Sequence, residues 1–137
     1  MKKVNVGILN TLAKIAEAND DSNIRFAAAV VYRNKIVSVG YNHKKSHPLQ
    51  AKFAKNPEAI FLHAEVHAIK NALRELSVED LKNAELYITR VKKPKAGDKH
   101  FVWGLSKPCI GCERAIVEFG IKRTIYTCDE VGNYEVL

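Results

Sequence analysis

At 137 residues, 47% of them hydrophobic, the chain is long enough for one good core and too short for two, so residues 1–137 are expected to form a single domain. No run approaches the ~18 apolar residues that a membrane span requires, and Met1-Lys2-Lys3-Val4-Asn5 lacks the apolar stretch of a secretory leader, which points to a cytoplasmic protein. A formal charge of +7 favours an anionic partner, a phosphorylated nucleotide or a polynucleotide, although the basic residues are spread out, with modest clusters only at Lys44-Lys45 and Lys92-Lys93-Pro94-Lys95.

Ile8, Leu9, Leu12, Ile15 and Ala16 recur at helical spacing, which predicts an amphipathic helix over residues 6–18, ended by Asn19-Asp20-Asp21-Ser22. The period then changes. Phe26-Ala27-Ala28-Ala29-Val30-Val31-Tyr32 and Ile36-Val37-Ser38-Val39-Gly40-Tyr41 flank Arg33-Asn34-Lys35, a β-hairpin pattern with Asn34 in the turn. Residues 42–57 read as a polar loop holding Pro48 and Pro57, with room for one helical turn from Gln50 onward. From His63, the residues Val66, Ile69, Leu73 and Leu76 fall on one helix face, and Ser77 with Asp80 suits the cap of a short following turn. Leu86-Tyr87-Ile88-Thr89 predicts a short strand, and residues 90–107 a loop or irregular hairpin carrying Trp103. Helical spacing returns over residues 109–119 and stops at Gly120, after which Thr124-Ile125-Tyr126-Thr127-Cys128 reads as a strand and residues 131–137 as a short strand or tail. Helices alternating with strands after a hairpin imply an α/β protein, a three-layer α/β/α sandwich with a mixed central sheet.

Three cysteines, two of them in one C-x-x-C, make a poor disulfide framework, and Cys128 reads as a small buried side chain at a strand end. The chemistry sits in His63-Ala64-Glu65 and Pro108-Cys109-Ile110-Gly111-Cys112. One imidazole and two thiolates make three ligands for Zn2+, which leaves a coordination position open, as in catalytic rather than structural zinc sites. Cys109 and Cys112 are three apart, so both sulfurs can lie on one side of a helical turn. With His63 and Cys109 each opening a helix, two positive helix ends would face the metal and favour thiolate over thiol. His67 stands four residues after His63, but a metalloprotease pair needs a Glu directly after the first His, where this chain has Ala64.

This two-part H-x-E and P-C-x-x-C pattern, spanning residues 24–128, resembles the cytidine deaminase-like superfamily of zinc deaminases. The resemblance implies a zinc-dependent hydrolase that removes an amino group from a cytosine-type nucleotide or nucleoside, releasing ammonia. Glu65 would then move protons from the attacking water to the ring and to the departing amine. The Gly40-Tyr41-Asn42 segment and the compact P-C-x-x-C look more like deoxycytidylate deaminases than like free cytidine deaminases. The run His63-Ala64-Glu65-Val66-His67-Ala68 also resembles riboflavin-pathway pyrimidine deaminases, whose two cysteines lie further apart.

The same resemblance implies that Asn42 binds sugar and base and that the backbone N–H of Ala64 donates to the ring carbonyl. Phe26 stands where relatives often have Val, and Ala27-Ala28 replaces their Gly-Ala, which alters the pocket floor. Trp103 suits stacking on a base or core packing, and Arg25, Lys44, Lys45 and His47 are candidate phosphate contacts. Members usually form homo-oligomers. Three other readings stay open: a tRNA or single-stranded DNA editor favoured by the basic charge, a deaminase of adenine or guanine, and a non-catalytic zinc-stapled module, against which the spare carboxylate of Glu65 argues.

Overall fold

A computed structural model describes residues 3–19, 24–43, 48–53, 62–95 and 97–137. Helix α1, Val6–Glu17, turns Ile8, Leu9, Leu12, Ala13 and Ala16 inward, as the spacing predicts. Strands β1, Arg25–Tyr32, and β2, Lys35–Tyr41, form the expected hairpin. Arg33 and Asn34 in its turn have φ of 52° and 67°, the left-handed pair that matches a two-residue turn to strand twist. There follow α2 (Pro48–Phe53), α3 (Ala64–Ala72), α4 (Val78–Leu81), β3 (Glu85–Lys92), β4 (Val102–Gly104), α5 (Ile110–Glu118), β5 (Arg123–Thr127) and β6 (Tyr134–Val136).

The strands form one mixed sheet in the order β2-β1-β3-β5-β6. β3 and β5 are parallel, the other pairs antiparallel, and β4 pairs with the end of β3 that β5 does not reach. Side chains alternate between the faces of each strand. Ala27, Ala29, Val31, Tyr87, Val91 and Ile125 meet α1 on one face. Ala28, Val30, Leu86, Ile88 and Tyr126 meet α3 and α5 on the other. Apolar side chains on both faces demand two helical covers, and the result is the α/β/α layering the sequence implies.

Helix α3 lies unusually close to the sheet at Gly40. A Cβ there would come within 2.5 Å of the Ala64 carbonyl oxygen and 2.3 Å of the Ala68 nitrogen, so only glycine lets the start of α3 seat on β2. Ser38 Oγ fastens the same contact by donating to the Ala68 carbonyl at 2.7 Å, and Asn71 Nδ2 donates to the Val39 carbonyl at 3.0 Å.

Several expectations need correction. Helix α3 stops at Ala72, and Leu73, expected on its buried face, is 37% exposed because the chain turns there toward α4. The Ser77–Asp80 capping box is present, both reciprocal bonds at 3.1 Å. Strand β3 runs on to Lys92 and makes a regular hairpin with β4, where a loop was an equal expectation. Cys128 falls just past β5 and is half-buried rather than buried. Trp103 does not stack over a ligand site: its partner across the ladder is Val91, which faces α1, so the register sends the indole into the core on that side. Among the described residues no helix is long and apolar enough to cross a membrane.

A buried phenol adds a side-chain tie to the backbone ladder that holds the last strand. Tyr126 and Glu135 are cross-strand partners, and the Tyr126 hydroxyl donates to Glu135 Oε2 at 2.6 Å. That carboxylate, with burial adding to it, pushes the phenol up to about 12, against about 10 when unfolded. A raised folded pKa means this bond stabilises fully below pH ~10 and is lost as the pH climbs through ~12. The phenolate absorbance of wild-type protein minus that of Tyr126→Phe should therefore titrate near the upper value. Ionisation of Tyr126 together with the exposed tyrosines would show that β6 is not held this way.

Candidate functional site

Two helix starts meet beside the end of β3. His63 is the N-cap residue of α3 and Cys109 the N-cap residue of α5, and neither uses its side chain to cap its own helix. Cys112, in the first turn of α5, is buried beneath them. His63 Nδ1 lies 3.5 Å from Cys109 Sγ and 3.3 Å from Cys112 Sγ. The three donor atoms all fall within 4.8 Å of one another. Tetrahedral zinc, with nitrogen about 2.0–2.1 Å and sulfur about 2.3 Å away, places such donors roughly 3.5 Å apart. The donor set and its spacing fit Zn2+.

The segment that delivers Cys109 is sutured into the gap between β3 and β5. Ser106 Oγ donates to the Ile88 carbonyl at 3.0 Å, Ser106 N–H donates to the Thr127 carbonyl at 2.9 Å, and Thr127 N–H donates to Ser106 Oγ at 2.8 Å. Thr127 Oγ1 donates to the Gly104 carbonyl at 2.8 Å. Both hydroxyls are buried, so these bonds carry a strong penalty for breaking and make the approach to Pro108 rigid.

The cluster holds its protons unevenly. A hydrogen bond from Cys112, aided by His63 and opposed by burial, brings the Cys109 thiol down to about 4. The same bond, with burial adding to it, raises Cys112 far above the usual thiol range. The bond to Cys109 raises the His63 imidazole, against the effect of burial. A cation entering here displaces these protons, so metal loading is coupled to pH.

Glu65, the second residue of α3, is 5% exposed, and burial raises its carboxyl although the charge of His63 opposes this. It lines a cavity of about 440 Å³ together with Ile24, Phe26, Asn42, His43, His63, Ala64, Arg90, Lys107 and Cys109.

A family model described as the cytidine and deoxycytidylate deaminase zinc-binding region matches residues 5–128. The chain belongs to this family. Among curated proteins no sequence matches it significantly. The dCMP deaminase of the cyanophage S-TIM5, solved in complex with dCMP and dUMP, superposes with a TM-score of 0.60 at 19% identity, over 93% of this chain and 85% of that one. Its apo form gives 0.55 at 22% identity, over 91% and 86%. A cytidine deaminase from Burkholderia pseudomallei gives 0.62 at 17% identity, over 98% and 92%. At these identities the likeness establishes the deaminase fold.

Within this deaminase fold the residues singled out from sequence separate. His63, Cys109 and Cys112 converge; Glu65, Ala64, Phe26 and Asn42 line the cavity; Trp103 does not. Asn42 is partly committed to structure. Its Oδ1 accepts from Phe26 N–H at 2.9 Å and from Asn19 Nδ2 at 3.2 Å, and its Nδ2 donates to the Ile24 carbonyl at 2.7 Å. This ties the start of β1 to the end of β2. Arg25 lies instead against Phe101 and the Glu17 carbonyl, outside the cavity lining, while Lys44, Lys45 and His47 lie outside the described residues. His67 Nδ1 faces Tyr41 N–H at 3.1 Å and His43 Nε2 at 3.2 Å, which leaves it out of the metal donor set.

Arg90 and Lys107 are lining residues that no motif marks. Arg90 shares the face of Leu86 and Ile88 at the C-terminal end of β3, where ligands gather in open α/β sheets. Its ladder partner is Gly104, and a Cβ there would stand 2.9 Å from Arg90 Cδ, so the glycine makes room for the arginine stem. The Arg90 guanidinium lies 5.5 Å from the centre of the Phe26 ring. Its Nε is buried with no hydrogen-bond partner among the described residues.

Proposed function

We propose that the protein is a zinc-dependent hydrolytic deaminase of a cytosine-type nucleotide, dCMP or its close relatives. The observation that carries this reading is the buried Glu65 carboxyl beside the His63, Cys109 and Cys112 donors at one cavity. Zinc held by those three residues supplies a Lewis acid that makes water nucleophilic at neutral pH. The chain's own groups do the rest.

Glu65, as carboxylate, takes one proton of the attacking water and passes it to the ring nitrogen, then carries the water's second proton, released as the new carbonyl forms and the C–N bond breaks, to the amino group that leaves as ammonia. Ala64 is the first residue of α3, and its N–H is among those a helix leaves without an internal partner. It can donate to the ring carbonyl. Asn42 offers a second amide hydrogen beyond the one bonded to Ile24, and Phe26 provides an apolar wall against the ring.

Arg90 and Lys107 support a phosphorylated substrate over a nucleoside, because a guanidinium and an ammonium lining the same cavity suit a phosphate dianion. The test is ammonia release by zinc-loaded protein from cytidine, deoxycytidine, their monophosphates, adenosine, guanine and a single-stranded oligonucleotide. Turnover of the monophosphates is expected, and Arg90→Met should lower kcat/KM for them by about 10–100-fold, the worth of a hydrogen bond to a charged group, while any slow nucleoside turnover is unchanged. Equal wild-type use of nucleoside and monophosphate overturns the phosphate reading. Deamination confined to the oligonucleotide would replace it with an editing activity.

A further inference from the structure

Helix α2 sends one polar side chain to the metal donors, and nothing about their ligation requires it. Gln50 is 1% exposed, the most deeply buried amide side chain among the described residues. Its Oε1 accepts from the backbone N–H of His63 at 3.1 Å, and its Nε2 lies 3.8 Å from Cys112 Sγ. The orientation is fixed by chemistry: a backbone N–H can only donate, so the amide oxygen must face His63 and the NH2 must face sulfur. Gln50 therefore joins the N-cap of α3 to the first turn of α5, two ligand-bearing helices that are distant in sequence.

Packing holds the bridge in place. Phe53 of α2 meets Phe119 just beyond α5, ring centres 6.2 Å apart, and both pack in one cluster with Leu62, Val66, Cys112 and Ala115. A side chain so enclosed has few alternative rotamers, and its amide can go nowhere wetter. Gln50 is not itself a metal ligand in this geometry, since its oxygen is engaged by His63 and its nitrogen carries only donors.

We infer that Gln50 is a positioning residue for the metal centre: it fixes the start of the His63 helix and donates a hydrogen bond to the Cys112 thiolate, directing that sulfur and drawing charge from it. The inference rests on the zinc reading above. Outer partners of this kind typically govern metal affinity by 10–100-fold. Gln50→Glu keeps the volume and the acceptor for His63 but puts an oxygen against the sulfur. Gln50→Met keeps the shape and removes both bonds.

The test is competition for zinc against a chromophoric chelator, with the sulfur-to-metal charge-transfer band of cobalt-loaded protein as a second readout. Both variants should hold zinc about 10–100-fold more weakly than wild type, and the band should shift, most in Gln50→Glu. In 15N-labelled wild-type protein the Gln50 side-chain amide should be protected from solvent exchange and should move on metal loading, a measurement that does not depend on the variants folding. Wild-type affinity and an unshifted band in both variants overturn the inference, as does a freely exchanging amide indifferent to metal. A wild-type protein that binds no zinc overturns the metal reading instead.

Discussion

Glu65→Gln is expected to lower turnover by about 10²–10⁴-fold, the usual worth of a positioned proton-transfer group, while zinc content and fold stay intact. The carboxamide has the shape of the carboxyl and cannot accept the water's proton. Stability should hold or rise, because Glu65 is 5% exposed and burial already disfavours its charge. Single-turnover assays on metal-quantified protein, with thermal melts alongside, separate these effects. A Glu65→Gln enzyme with normal turnover would show that Glu65 is not the proton-transfer group, and a zinc-loaded wild-type protein with no turnover would return the protein to the class of zinc-stapled binding modules.

Cys112→Ala should abolish stoichiometric zinc and with it the stabilisation that zinc confers. In wild-type protein, free zinc at a thousand times its Kd adds about 4 kcal/mol, on the order of 15 °C in Tm for a chain of this size. Cys112 lies buried in the cluster of Phe53, Leu62, Val66 and Ala115, so the metal ties α5 to the segment before α3. Losing one of three donors leaves His63 and Cys109, too few to close the site, and the zinc-dependent rise in Tm should vanish. Elemental analysis and calorimetry with and without zinc decide it; a variant that still binds one equivalent would mean that the described donor trio is not the metal's seat.

The candidate metal donors and Glu65 could be read from the chain because each half of the site is local. His63 and Glu65 sit at one helix start, and Cys109 and Cys112 at another, and helix geometry alone brings each set to one end. The hairpin was legible for a similar reason: Arg33 and Asn34 lie between two short strand-forming runs. Where contacts are long-range the reading thinned. Trp103 looked equally fit for base or core, and the matter turned on its register opposite Val91. Arg90 and Gly104 are partners only because β3 extends past Thr89 and β4 folds back, and no spacing in the sequence marks either as part of a cavity wall. Gln50 sat in a segment read mainly as loop, where a buried amide has no periodic signal.

The amino-acid sequence by itself determined the two helix starts, the donor side chains they carry and the apolar strand residues that call for helices on both sheet faces. These follow from bonds and spacings within a few residues. Tertiary structure decided which side chains wall the cavity, which face Trp103 takes, and that a glutamine from a third helix spans the donors. Those depend on strand register and on close approaches such as that at Gly40, where one added carbon would push α3 from the sheet. A one-residue slip in pairing sends every side chain to the opposite face, and only the whole packed sheet settles which register holds.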